Sequence, residues 1–155
     1  LGITKGSLEK FSDRQSLVAV ADNRQMPLKR GIADVVIAGW SFGHSVGWYP
    51  SNWREEIGRA VGEMLRLLRS GGTAIILETM GTGSEVPQPP TAGLATYYAW
   101  LEAEYGFSTR SIRTDYRFES VDEADRLTRF FFGEDLADRI QHENLVILPE
   151  CTGIV

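Results

Sequence analysis

The segment from Trp53 to Leu68 carries one unbroken apolar stripe. Trp53, Ile57, Ala60, Val61, Met64, Leu65 and Leu68 recur at the three- and four-residue spacing of a helix with one face for a core. On either side stands a short run apolar at almost every position, "ADVVIAG" (Ala33 to Gly39) before it and "TAIILET" (Thr73 to Thr79) after it. Such runs suit parallel strands covered on both faces. Strand, helix and strand in succession confine the chain to the α/β class with a mostly parallel sheet.

The punctuation agrees with that alternation. Asn52 is placed to cap the helix with Glu55 three residues on, and Gly71-Gly72 supply a stop after Arg66 and Arg69. Upstream, "SLVAVA" (Ser16 to Ala21) predicts another buried strand ending at Asp22, and Thr4 to Phe11 a short helix. Downstream, Thr91 caps a helix with Leu94, Tyr97, Tyr98, Leu101 and Tyr105 inward, and Gly106 ends it. Ser108 to Phe118 alternates as an edge-type strand. Ser120 and Glu123 form a capping box for a helix to about Phe132, Gly133 breaks it, and a second piece runs to about Gln141. "LVILP" (Leu145 to Pro149) is the last expected strand.

With 155 residues, 43% of them hydrophobic and 24% charged, the chain has the size and balance of one globular domain. A formal net charge of −5 supplies no basic field for nucleic acid, and no apolar run approaches the ~20 residues that span a bilayer. Cys151 is the only cysteine, which excludes an internal disulfide and makes a cytoplasmic, reducing setting the expectation. It has no evident histidine partner as a nucleophile, and His44 and His142 are too isolated to suggest a metal site. Phe130 to Phe132 are expected in a core or an interface.

Ligands of open α/β sheets bind beyond the carboxyl ends of the strands. The residues there are Asp22-Asn23, Gly39 to His44 and Glu78 to Gly83. Gly81-Thr82-Gly83 follows a strand, but Pro87, Pro89 and Pro90 follow it in place of a helix start, so a phosphate cradle is disfavoured against a strand-to-helix connection. Asp22 is either a hydrogen-bond acceptor for a ligand or an ordinary turn aspartate. His44 is either a general base or a plain loop histidine. Trp40, Trp48, Tyr49 and Trp53 either line an aromatic pocket or cap the open end of the sheet.

In order and spacing, "VAVADNRQMPL", "ADVVIAGWSFGH" and "EMLRLLRSGGTAIILET" resemble the second half of a class I S-adenosylmethionine-dependent methyltransferase, and "LPECTG" resembles the last strand of some members. The resemblance implies a Rossmann-like, mostly parallel sheet with flanking helices, lacking its first two strands, in which residues 1–155 form a single partial domain. It implies that Asp22 accepts the adenine amine, Asn23 offers its backbone to the ring, and Met26 packs nearby. Gly39 and Trp40, in the Gly39 to Phe42 segment, would lie beside the methionine part of the cofactor. The Met80 to Pro90 loop would cover a small-molecule substrate, its glycines giving flexibility in place of phosphate contacts.

The family's glycine-rich loop and ribose-gripping acid have no counterpart in these residues. Weak or no binding of S-adenosylmethionine by this chain alone is therefore expected. The alternatives are a catalytically silent half-domain, an interaction module completed by a partner, or another nucleotide-binding α/β domain such as a reductase. The apolar Ala33 to Ala38 strand is expected at an open edge, to be completed by a homodimer or by a missing N-terminal segment.

Overall fold

The computed structural model of the chain describes residues 19–155. The expected helix at Thr4 to Phe11 and the first half of the expected strand at Ser16 to Ala21 lie outside them. Ala33–Gly39 forms strand β1, His44–Trp48 a short helix α1, Trp53–Leu67 helix α2, and Leu68–Thr82 a long strand β2. The stripe of α2 faces the core through Trp53, Ile57, Ala60, Val61, Met64 and Leu67, all buried. Full burial of one such large side chain stabilises by roughly 1.5–3 kcal/mol. Leu65 drifts out to the surface, and Leu67 closes the stripe in place of Leu68.

Both ends of α2 differ from expectation. Asn52 makes no side-chain cap; its amide donates to Glu56 Oε1 at 3.4 Å. The helix stops at Leu67 because Leu68 turns extended (ψ 140°), before either glycine is reached. Gly71 and Gly72 serve a bulge of β2. Pairing jumps there from Ala33–Leu68 to Val35–Thr73. Gly71 takes a positive φ of 78°, and a Cβ on Gly72 would sit 3.0 Å from the Asp34 carbonyl oxygen.

The main sheet runs β1-β2-β6-β3, with β3 at Arg110–Arg113 and β6 at Glu150–Ile154. β1 and β2 are parallel, whereas β6 is antiparallel to both β2 and β3. Most pairings are therefore antiparallel, which corrects the expected mostly parallel sheet. The cause is the insertion of β6 between two strands that run the same way. A small second sheet joins β4 (Tyr116–Arg117) to β5 (Ile147–Leu148). The expected strand at Ser108 to Phe118 is split between the two sheets. The break falls at Thr114-Asp115, where the Thr114 N–H donates to the Glu150 carbonyl at 2.9 Å and Asp115 Oδ1 accepts from the Glu150 N–H at 3.1 Å.

Helix α3 (Ala92–Tyr105) starts and stops as expected: Thr91 Oγ1 accepts from the Leu94 N–H at 3.1 Å, and Gly106 is left-handed at φ 70°. In α4 (Val121–Phe132), Ser120 Oγ accepts from the Glu123 N–H, while the Glu123 carboxylate reaches back one residue further than expected, to the Glu119 N–H at 2.7 Å. Helix α5 (Glu134–Glu143) packs on α4 around buried Ala124, Ile140 and Leu148. The main core joins α2 and α3 to one face of the sheet, with the Trp53 ring edge-on to Tyr97 and Trp100 above Ala38 and Ile76.

On the opposite face of β1, Val35 and Ile37 are 51% and 61% exposed. Burial of β1 on both faces is thus not what the described residues provide. Among them β2 is its only neighbour, so β1 is an edge strand as expected. Ala19 to Ala21 are exposed and form no strand. Nor do Phe130 to Phe132 join the core: all three are exposed on α4.

Candidate functional site

A cavity of about 1010 Å³ opens where β1 and β2 reach their carboxyl ends. The loop after β1 contributes Trp40, Gly43 and His44, and α1 adds Trp48. β2 supplies Glu78, Thr79 and Thr82 as the floor, and Glu150 enters from the adjoining end of β6. The far wall is aromatic: Tyr116 of β4 and Phe118 just after that strand, Phe131 and Phe132 from α4. A second, smaller cavity of about 120 Å³ lies on the other side of the same loop, between Asn23, Arg24, Ser41, Phe42 and the Glu56 to Ala60 part of α2. Trp48 borders both. The segment after β1 is therefore a partition between two chambers.

The partition is pinned by a carboxylate. Glu78 is 4% exposed, and its Oε1 accepts from the Gly43 N–H at 3.0 Å and the Tyr97 hydroxyl at 3.3 Å. Burial pushes its carboxyl up to about 7, against the opposing pull of those donors. Tyr97, fully buried beside it, is raised by burial and by the neighbouring negative charge. The Tyr98 hydroxyl donates to the Thr79 carbonyl at 2.8 Å, which ties α3 to the same stretch of β2.

Glu150 is the second buried acid, at 2% exposure. Its Oε1 accepts from Thr79 Oγ1 at 3.0 Å, but its buried Oε2 has no hydrogen-bond partner among the described residues. The two acids differ in kind. Glu78 has its donors, and Glu150 is half satisfied.

The expected site residues fall into three groups. His44 opens α1 on the wall of the large cavity, its ring stacked on Trp48 at 5.3 Å. Trp40 borders the same cavity from a left-handed conformation (φ 46°), while Ser41 and Phe42 turn to the small one. Gly39 ends β1, exposed, with open space where a Cβ would stand. Asn23 lines the small cavity. Asp22 lies in an exposed turn bridged to Gln25, and Arg24 Nε and Nη2 hold its carboxylate at 2.9 and 2.7 Å. That contact keeps its carboxyl at about 2. Met26 is clamped on α2, its N–H donating to Glu63 Oε2 at 2.8 Å and its carbonyl accepting from Arg66 at 3.1 Å.

Sequence reasoning set Glu78 among the residues at the strand ends and left Tyr97 between pocket and core, without a role for either, and passed over Glu150 and Arg24 as site residues. A single acid within an otherwise apolar strand was the available signal for Glu78. Nothing local marks Glu150, because its burial depends on strand order. The Gly81-Thr82-Gly83 loop also acts differently from expectation. It is tied down through the Gly83 N–H to Pro149 at 2.7 Å and the Gly83 carbonyl to Arg139 at 2.7 Å. Its glycines hold φ of 121° and 76°, so they serve backbone shape and not looseness. Among the described residues no acid, histidine or cysteine cluster could hold a metal, and no helix is long and apolar enough to cross a membrane.

No family model matches the chain, and no curated protein matches it. Similar solved structures include a "putative methyltransferase" of Bacillus halodurans C-125, at 13% identity and TM-score 0.45 over 98% of this chain and 78% of that one. The MccD protein gives 14% identity and TM-score 0.45 over 95% of this chain and 73% of its own. A "putative type II methyltransferase" of Anaeromyxobacter dehalogenans gives 16% identity and TM-score 0.45 over 91% and 72%.

Proposed function

We propose that these residues form the acceptor side, and one edge of the cofactor side, of a class I methyltransferase that uses S-adenosylmethionine and a small-molecule acceptor. The observation that carries the reading is the partition: one segment after β1 has a roomy aromatic cavity on one face and a ring-sized cavity on the other. Group transfer between two bound molecules needs that arrangement, with reacting atoms brought together across a shared wall. The order of the sequence motifs supports the same assignment.

The fit to the cofactor is partial. About 120 Å³ is below the several hundred that a ligand of that size requires, and Arg24 already occupies the Asp22 carboxylate. Asn23, Ser41 and Phe42 would border the adenine end. When bound, S-adenosylmethionine supplies an electrophilic methyl carbon. The chain's own part is to hold the acceptor against aromatic walls, exclude water, and take the acceptor's proton at an imidazole nitrogen of His44. The weak fit also favours a second reading, an interaction module that no longer catalyses. We further propose that the exposed edge of β1 is completed by a second copy or by an additional segment.

Titration of the full chain with S-adenosylmethionine, followed by amide NMR, tests the proposal. Weak saturable binding, weaker than micromolar, is expected, with shifts at Asn23 and at Ser41 to Ser45 and none with NAD. Transfer of labelled methyl to an acceptor would fall about 100-fold in His44→Ala. Absence of any shift at millimolar cofactor would leave the interaction module as the better reading.

A further inference from the structure

Trp40 sits in a backbone conformation that is unfavourable for its side chain. Its φ of 46° is left-handed, a region where a bulky residue crowds its own backbone. Strain of this kind persists where a binding site needs the side chain in place. Trp40 stands on the wall of the large cavity, and its side chain is open to solvent there.

It has company. Trp48, Tyr116, Phe131 and Phe132 line the same cavity and are exposed as well. Large apolar side chains left open around one concavity mark a surface that another molecule covers. Two ring pairs on the walls have nearly parallel planes, His44 with Trp48 at 16° and Tyr116 with Phe118 at 19°. Faces arranged in this way suit stacking on a flat ring. A space of about 1010 Å³ is at the upper end for a small ligand and takes more than one ring.

Charge narrows the ligand further. No Lys or Arg lines the cavity, so no permanent cation offsets an anion. Nor do the two acids offer a partner to a cation. The free oxygen of Glu150 is sealed from solvent. Glu78 is buried with Oε1 bonded to Gly43 and Tyr97, and its carboxyl is raised to about 7. The hydroxyls of Thr79 and Thr91 are engaged with Glu150 and with the Leu94 N–H. A charged ligand would give up its hydration here without gaining a counter-charge.

We propose that the large cavity binds an uncharged, hydroxylated aromatic molecule of two or more rings, and that the backbone strain at Trp40 is kept to hold its ring against that ligand. The inference deepens the methyltransferase reading by naming a class of acceptor. It rests on that reading for the acceptor's role and not for the binding.

Calorimetry on the full chain, without cofactor, tests it with four probes substituted at the same ring position. Naphthol, naphthoate and naphthylmethylamine share a flat frame and differ in charge, while decahydronaphthol keeps the hydroxyl and loses the flat rings. Naphthol is expected to bind about tenfold or more tighter than either charged probe, and about fivefold tighter than the saturated alcohol. Trp40→Gly relieves the strain, so its urea midpoint should equal or exceed that of the wild type while naphthol binds about fivefold more weakly.

Binding of a charged probe or of the saturated alcohol as tightly as naphthol overturns the proposal, and so does binding of none of the four. A Trp40→Gly chain that binds naphthol like the wild type, or that fails to fold, overturns the role given to the strain. Naphthol binding without methyl transfer supports this inference and counts against the methyltransferase reading. Methyl transfer to a charged acceptor, with no preference for the neutral probe, does the reverse.

Discussion

Glu78 and Gly43, thirty-five residues apart, are joined by a 3.0 Å hydrogen bond from the Gly43 N–H to the Glu78 carboxylate. This contact couples the inside of β2 to the partition between the two cavities. It also places a titrating group where the loop's position depends on it.

The first consequence is a pH dependence. The folded-state pKa of Glu78 is raised from 4.5 to about 7, so the native chain holds a proton that the unfolded chain releases across that interval. Its contribution to stability is full below about 4.5 and is lost as pH rises through about 7, by up to roughly 3 kcal/mol. Urea unfolding at pH 5 and pH 8 should show this loss in the wild type and a much flatter profile in Glu78→Gln. Equal slopes in the two proteins would refute it.

Gly43→Ala should disturb the same contact from the other side. A Cβ there would stand 2.9 Å from Glu78 Oε2 and 3.1 Å from Leu94 Cδ2, although the backbone (φ −56°) is open to any residue. The expected cost is about 1–3 kcal/mol. In a double-mutant cycle with Glu78→Ala, which removes the obstructing carboxylate, most of that cost should vanish. Simple additivity would contradict the proposed clash.

Gly83→Ala tests the loop that follows β2. The residue holds φ +76°, its N–H is bonded to Pro149, and a Cβ would come 2.7 Å from Leu136 Cδ1. Conformational strain and crowding together should cost about 1–3 kcal/mol, read from the urea midpoint. A neutral substitution would mean that the loop is not held as described.

Exposed Val35 and Ile37 on the edge strand β1 lead to a prediction of self-association. Light scattering on the full chain should show a mass that rises with concentration in the micromolar range. Ile37→Lys should lower it, since an edge lysine disfavours strand pairing. A monomer at every concentration would count against both the dimer and the edge argument.

The elements with strong local signals were legible in the sequence: the stripe of α2, the runs of β1 and β2, and the caps Thr91 and Ser120. Strand direction was not, because apolar runs say that a strand is buried and do not say which neighbour it takes. The Glu150 to Ile154 segment has no periodicity of its own, yet it sits inside the sheet. The site follows the same division. His44 and Trp40 could be placed on the cavity wall from their position after a strand. The two buried acids could not be assigned to one cavity, since Glu150 reaches it only through the β2–β6 ladder, which sets it opposite Thr82.

The position of β6 also imposes a timetable on the chain. It follows β1, β2 and β3 in sequence but lies between β2 and β3, pairing Leu77 with Ile154 and Arg110 with Ile154. As the protein is synthesised, β3 can find no place in the main sheet until β6 has emerged, and β2 keeps one flank unpaired for the same interval. Pairings of such long sequence separation form slowly. Glu150 rides on that strand, so the large cavity lacks its second acid until the β2–β6 pairing forms.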